Sequence, residues 1–378
     1  MMPLADTVWI VDQAKSLGFD LCGVVRAEKF PELGRTSEWL ERGYAGEMKY
    51  LADPRRGDPQ TAMPGIRSVI VGLLNYNTER PFSTDPALPI DSHKPSGWIS
   101  RYAWGDDYHD VLRERLDALR EALRKRFPSL FEARTYVDTG PVQERVLAKY
   151  AGLGWLGKNT LLLNQILGSY FFLGVILTTL DLEPTLAANE LPPPDLCGSC
   201  TRCLDACPTQ AFVEPYVMDA RKCISYMTIE LRGAIPEELR EPMGNHVFGC
   251  DICQDVCPWN RRAPIATIPR FEPRNFPLQE ESRSEESFPQ PDESLYLPRL
   301  EWLLGLSEAK FRELFRGSPV KRTKWRGLIR NACVALGNSG LQQGMADHGR
   351  IGRLLERLAA SEDAVIAESA RWALSRIQ

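Results

Sequence analysis

The sequence predicts three parts in series: an α/β domain, a ferredoxin-like domain built for two 4Fe-4S clusters, and an all-α, HEAT-like end. Three observations carry this. Strand-like and helix-like patterns alternate through the first 180 or so residues, as in α/β domains. Seven of the ten cysteines form two close-spaced runs, and an eighth, Cys223, lies between them. Leu328-x3-Ala332-x2-Ala335-Leu336 recurs in outline at Ile366-x3-Ala370-x2-Ala373-Leu374, an offset of 38 residues that fits a pair of HEAT-like helical repeats. The alternative for that end is a plain helical bundle. The expected parts are 1–185, 186–262, a connector 263–300, and 301–378.

In the first part, residues 4–17 read as an amphipathic helix stopped by Gly18. Leu21–Val25 and Ser68–Tyr76 read as strands, and 78–97, rich in Pro, Ser and Asp, as a long loop. His109–Phe127 is a helix with Leu112, Leu116, Leu119, Leu123 and Phe127 on one face. Thr135–Val137 is a short strand, Pro141–Tyr150 a helix with Pro141 at its first position, and Tyr170–Leu180 another strand. Residues 159–180 lack any charge, yet Asn159, Asn164, Gln165 and Ser169 would be costly in lipid. Two buried strands around a turn at Asn164–Ser169 fit better than a membrane span. A proline-rich stretch from Leu191 opens the cysteine part. Residues 263–298, rich in Pro, Glu and Ser, read as a poorly structured connector.

The first cysteine run is Cys197-x2-Cys200-x2-Cys203-x3-Cys207-Pro208, the bacterial ferredoxin spacing in full. The second, Cys250-x2-Cys253-x3-Cys257-Pro258, is the same run with its first cysteine moved upstream to Cys223. Eight thiolates suit two 4Fe-4S clusters, and the fourth cysteine of such a run usually serves the other cluster. That places Cys197, Cys200, Cys203 and Cys257 on one cluster and Cys207, Cys223, Cys250 and Cys253 on the other. Structural zinc and disulfides are the alternatives, but zinc runs usually lack a third close cysteine. Cys22 and Cys333 sit in apolar runs and read as core residues.

A net charge of −4 over 378 residues argues against wholesale coating by nucleic acid, although charge can be local. The amino-terminal ten residues carry Asp6 and no basic region, so no secretory signal is expected. A reducing cytoplasm suits free thiols and oxygen-sensitive clusters.

Four further features could carry chemistry. Gly152-x4-Gly157-Lys158-Asn159 nearly spells a phosphate loop, but the last position should be Ser or Thr, and a helix precedes where a strand should. Its glycines read better as points of close backbone approach. Asp138 stands where a short strand turns into a helix. Buried there by a large apolar ligand, its pKa would rise and it could donate a proton; the plainer reading is a turn aspartate. Arg101-Tyr-Ala-Trp-Gly105 and Asp107-Tyr-His109 suit either a ligand-binding loop or a helix entry braced by aromatics. Arg316, Lys321, Arg322, Lys324, Arg326 and Arg330 form a basic stretch that interrupts an acidic chain. It suits nucleic-acid backbone contact, against the plainer reading of a solvated helix face.

These residues resemble the epoxyqueuosine reductase family over nearly the whole chain. The likeness rests on Arg101-Tyr-Ala-Trp-Gly-x-Asp-Tyr-His109, Val137-Asp-Thr-Gly-Pro141, Ala151-Gly-Leu-Gly-Trp-x-Gly-Lys-Asn159, Cys197-Gly-Ser-Cys-x2-Cys-Leu-x-Ala-Cys-Pro-Thr209, Lys222-Cys-Ile-Ser225 and Gly249-Cys-Asp-x-Cys-Gln-x-Val-Cys-Pro258. The resemblance implies a cobalamin between the α/β domain and the clusters. It implies that electrons run from an external flavodoxin- or ferredoxin-type donor through the clusters to cobalt. It implies loss of the epoxide oxygen from a modified tRNA base, the last step of queuosine synthesis, with Asp138 protonating that oxygen. Arg56, Ser100, Arg101, Asp138, Leu162, Leu173 and Ser225 would lie near the corrin. Arg145, Lys321, Arg322, Lys324, Arg326 and Arg330 would meet the tRNA. Two rivals share parts: a cobalamin-dependent reductive dehalogenase, which is typically exported, and a ferredoxin-type electron carrier, which needs neither a cobalamin domain nor a basic tail.

Overall fold

The computed structural model describes residues 4–88, 94–276 and 293–377. Helix α1 (Leu4–Ser16) leads into strand β1 (Leu21–Arg26), then β2 (Ser68–Asn75) and the two-residue β3 (Trp98–Ile99). Helix α2 (Tyr108–Arg126), β4 (Ala133–Tyr136), helix α3 (Glu144–Tyr150), the short strands β5 (Trp155–Leu156) and β6 (Leu162–Leu163), and β7 (Phe171–Thr178) complete the amino-terminal part.

The main sheet has the order β1-β2-β7-β4, and all of its pairings are antiparallel. This corrects the expected class: the part is α+β. Alternating elements do not fix strand direction, and here strands distant in sequence pair with opposed sense. Alternation along β2 supplies two cores. Ile70 and Leu74 face α1 and α2, with Ile10, Leu112 and Leu116. Val69, Val71 and Leu73 face α3, with Leu147 and Ala148. The sheet is therefore covered on both sides, and both β2 and β7 are almost wholly buried.

Helix α3 begins at Glu144, three residues later than the sequence suggested. Asp138 takes a left-handed backbone, φ 56°, and residues 138–143 bend instead of coiling. Pro141 sits in that bend. The uncharged stretch before β7 folds as the β5–β6 hairpin and a turn closed by bridging of Asn164 with Gly168. Among the described residues, no helix is long and apolar enough to cross a membrane.

Helix α4 (Ile224–Ile229) follows Cys223, and strand β8 (His246–Phe248) precedes Cys250. β8 pairs in parallel with β3, so the 98–104 segment leaves its own part of the chain. Trp98, Ile99 and Trp104 share one core with Val247, Phe248 and the carboxy-terminal helices. The expected borders at 185 and 262 therefore do not separate independent cores. The described ends of the connector are structured. Asn275–Phe276 pair with Glu293–Ser294, and Phe271 and Leu295 are buried; residues 277–292 lie outside the described residues. Helices α5 (Lys324–Gly337), α6 (His348–Ala359) and α7 (Ala364–Arg376) close the fold. Leu328, Ala332 and Ala335 of α5 share a core with Ile366, Ala370 and Ala373 of α7, so the two similar segments stack on one another.

Candidate active site and cluster centres

Two loops present the cysteines. Cys200 N–H donates to Cys197 O, and a short helix lies within each run, at Arg202–Asp205 and Ile252–Asp255. Prolines after Cys207 and Cys257 turn the chain away. In space the thiols sort into two groups. Cys203 feels Cys257, Cys197 and Cys200 electrostatically, and Cys257 feels Cys197 and Cys200. Cys250 feels Cys253 and Cys223, and Cys253 feels Cys223 and Cys207 as well as Cys203 of the other group. Apart from the Cys253–Cys203 neighbour pair, these groupings are consistent with the crossed arrangement read from the spacing. Among the described residues, no three ligating side chains converge tightly enough to hold a single ion. Looser quartets suit a cluster, in which each thiolate binds a different iron. Cys22 and Cys333 lie apart and buried, 5% and 0% exposed.

The glycine-rich segment before β6 binds the cysteine loops and has no phosphate-loop geometry. Lys158 Nζ donates to Gly198 O (2.6 Å) and Cys200 O (3.0 Å). Asn159 Nδ2 donates to Cys253 O (3.3 Å). A Cβ on Gly154 would stand 2.1 Å from the Leu163 carbonyl oxygen, so that position needs glycine for close backbone approach.

Asp251, beside Cys250, was not singled out from the sequence. It is fully buried and accepts from Trp98 Nε1 (3.1 Å), Ser100 Oγ (2.5 Å) and Arg101 N–H (2.8 Å). Its neighbour Cys was the only available signal. These bonds reassign two expected corrin contacts. The Ser100 hydroxyl is held by Asp251. The Arg101 guanidinium, 1% exposed, donates to the carbonyls of Thr78, Arg80 and Pro81, and it packs on Phe82, Trp104 and Tyr170. The Ser100 hydroxyl and the terminal guanidinium nitrogens of Arg101 are bonded inside the fold, which gives both a structural role, while Arg101 Nε is buried without a partner.

A cavity of about 1590 Å³ opens between the sheet part and the cysteine loops. Its wall mixes rings (Trp39, Tyr50, Trp155) with Arg56, Asp138 and Glu144. Of the expected corrin contacts, Arg56 and Asp138 line it; Leu162, Leu173 and Ser225 stand outside the wall. Leu162 is buried in the hairpin, Leu173 packs on the same core, and Ser225 lies beside the Cys223 thiol. Three buried polar atoms on residues lining the cavity, Arg56 Nε, Glu144 Oε1 and Trp155 Nε1, have no hydrogen-bond partner. Such orphans are costly unless a ligand satisfies them. A corrin, with an apolar face and a rim of amides and phosphate, fits the size, the rings and the orphaned donors and acceptor.

Asp138 sits at the lip of this cavity with 61% of its side chain open. Tyr108 Oη donates to Asp138 Oδ2 at 2.9 Å, and His109 Nε2 is 3.8 Å from the same oxygen. His109 Nδ1 is 2.7 Å from Asp107 Oδ1. Asp107 also caps α2 by accepting from His109 N–H. The aromatic helix entry thus serves both expected roles, brace and site.

With no ligand over it, Asp138 is held in its ionised form. Burial pushes its pKa up, but His109, Tyr108 and Arg145 pull harder, and the carboxyl is held down to about 2. Burial opposes charge on His109, yet Asp107 and Asp138 raise it to about 9. Burial, helped by the charge of Asp138, lifts Glu144 to about 8. The resting site therefore holds its proton on the imidazole and not on the aspartate.

Among the expected tRNA contacts, Arg330 is corrected. It is 1% exposed, and its guanidinium donates to the carbonyls of Met227, Leu231 and Gly233. It lies on the inward face of α5 and cannot meet a phosphate. Lys321, Arg322 and Arg326 reach solvent but pair with Asp107, Glu230 and Asp363. Lys324 is exposed. Arg145 lines the cavity and donates to Thr160 O (2.9 Å).

Comparison with known proteins supplies the setting. Residues 196–260 match the family described as "4Fe-4S double cluster binding domain", and residues 56–139 match "Epoxyqueuosine reductase QueG, DUF1730". An epoxyqueuosine reductase of Gloeobacter violaceus is 45% identical over 338 residues, 88% of this chain and 96% of its own. That of Escherichia coli is 41% identical over 326 residues, covering 85% and 78%. Among solved structures, an epoxyqueuosine reductase with a tRNA-Tyr epoxyqueuosine-modified stem loop superposes with a TM-score of 0.82 at 31% identity, covering 99% of this chain and 90% of its own. The Bacillus subtilis enzyme, with its catalytic aspartate loop swung out of the active site, gives 0.77 at 27% identity, covering 99% and 100%.

Proposed function

The chain belongs to the epoxyqueuosine reductase family, and from that premise we propose that it reduces epoxyqueuosine to queuosine at the wobble position of tRNA. The observation that carries the reading is Asp138 at the lip of a large ring-lined cavity, in a chain whose cysteines fall into two groups. The cysteine quartets would hold two 4Fe-4S clusters. Arg56, Glu144 and the ring-lined wall would hold cobalamin. When bound, that cofactor supplies a strongly reducing centre for removal of the epoxide oxygen.

The chain's own residues do the rest. Trp39, Tyr50 and Trp155 offer apolar ring surface to a bound corrin. Asp138 faces into the cavity and delivers a proton to the departing oxygen. Lys321, Arg322, Lys324 and Arg326, with Arg145 nearer the site, would position the anticodon stem through its phosphates. An external flavodoxin- or ferredoxin-type protein would supply electrons, and the cytoplasm would be the place of work. The test is incubation of anaerobically purified, cobalamin-loaded protein with epoxyqueuosine-containing tRNA and a chemical reductant, followed by nucleoside analysis. Queuosine is the expected product; unchanged epoxyqueuosine with both clusters and cobalamin in place would refute the assignment.

A further inference from the structure

We propose that His109 is a proton relay: it passes the proton on Nε2 to Asp138 Oδ2, so that Asp138 meets the substrate and His109 reloads it. The inference rests on the reaction proposed above. Turning an epoxide into an alkene breaks two C–O bonds and forms one C=C bond. It consumes two electrons, here from the external donor through the clusters, and two protons, and it releases water. One carboxyl carries one proton at a time, so a second must reach Asp138 during turnover.

The geometry supplies a path. Asp107 Oδ1, 2.7 Å from Nδ1, fixes the ring so that Nε2 points at Asp138, 3.8 Å away. Nε2 is buried and has no hydrogen-bond partner. Its 3.8 Å gap exceeds hydrogen-bond length, so the present attraction is electrostatic. Asp107 is itself nearly buried, and its other oxygen takes Lys321 Nζ at 2.7 Å. His109 does not line the cavity, so it acts on substrate only through Asp138.

The resting charges load the relay at His109, and transfer to Asp138 is uphill until substrate changes the balance. His109 holds its proton up to about 9, and Asp138 is ionised down to about 2. Substrate that covers Asp138 and expels water disfavours the carboxylate, and the proton then crosses. Other groups act on this pair. Tyr108 donates to Asp138 Oδ2. Tyr50, Glu144, Arg145 and Arg322 act on Asp138 through space. Arg145 and Arg322 favour its ionised form, whereas Glu144 opposes it when charged.

The test uses full-length protein loaded with cobalamin and clusters. His109→Gln keeps a polar partner for Asp107 but carries no transferable proton. It is expected to lower turnover about 10²-fold, with tRNA affinity, iron and cobalamin content unchanged, and to abolish the alkaline limb of the rate profile near pH 9. The double variant with Asp138→Asn is expected to be no slower than Asp138→Asn alone, since both act on one proton path. Independently of activity, NMR titration of the histidine rings, of which the chain has four, should place His109 near 9 and lower it in Asp107→Asn, a substitution that keeps the helix cap. Turnover of His109→Gln within a few-fold of wild type, or loss of iron or cobalamin with it, overturns the relay. So does a wild-type His109 that titrates near 6.5. Wild-type protein inert on epoxyqueuosine tRNA, with His109 titrating near 9, overturns the functional reading and the relay with it.

Discussion

Lys321 Nζ lies 2.7 Å from Asp107 Oδ2, so the basic stretch is tied directly to the carboxylate that aims His109. The same carboxylate caps α2. A phosphate drawing Lys321 away would leave Asp107 with the imidazole and the backbone amide. The basic stretch and the proton-bearing pair thus share Asp107 as a partner.

The cluster assignment is checked by iron. Wild-type protein should carry about eight irons per chain, four to each cluster. Cys223→Ser removes a ligand that only the fold brings to Cys207, Cys250 and Cys253, and should cost about half the iron. Cys22→Ser and Cys333→Ala should keep all of it. Loss of iron from either of these two would break the assignment.

Asp138→Asn preserves shape and removes the acid. Turnover should fall by roughly 10²-fold or more, while cobalamin absorption and cluster content stay at wild-type levels. Conversion near the wild-type rate would return Asp138 to a plain turn role.

For tRNA binding, affinity measured against salt separates surface from core. Replacing Lys321, Lys324 and Arg326 together by Ala should weaken binding and flatten its salt dependence, because fewer counterions are released. Arg330→Ala should behave differently. It strips donors from buried carbonyls, at about 1–3 kcal/mol for each acceptor left unsatisfied. It should lower the thermal midpoint, and any weakening of tRNA binding should leave the salt slope unchanged. A flattened slope with Arg330→Ala would place that residue on the RNA after all.

Stability should also carry the signature of His109. Its ring ionises near 6.5 in an unfolded chain, roughly the value for free imidazole side chains, and near 9 in the fold. The folded state binds the proton more tightly. Its contribution is therefore fully present below about 6.5 and is lost as pH rises through 9. The gap in thermal midpoint between wild type and His109→Gln should narrow across that window. A gap that stays constant would mean the ring is neutral in the fold.

The sequence by itself determined what is local and covalent. Thiol spacing encodes which cysteines can share a cluster, and helix periodicity encodes α2 within a residue of its observed start. The buried cysteines outside the runs were equally plain from their apolar neighbours. The tertiary structure decided what depends on elements far apart in the chain. Strand direction was one such matter, since alternating patterns carry no sense of pairing and the sheet is antiparallel. The fate of the arginines was another. Arg101 and Arg330 look from sequence like ligand-binding cations, but each meets carbonyls contributed by other loops and becomes part of the core. Protonation was the third. The sequence suggested a raised pKa for Asp138 beneath a covering ligand; the fold sets His109, Tyr108 and Arg145 beside it, and their hydrogen bonds and charges together outweigh the cost of burial.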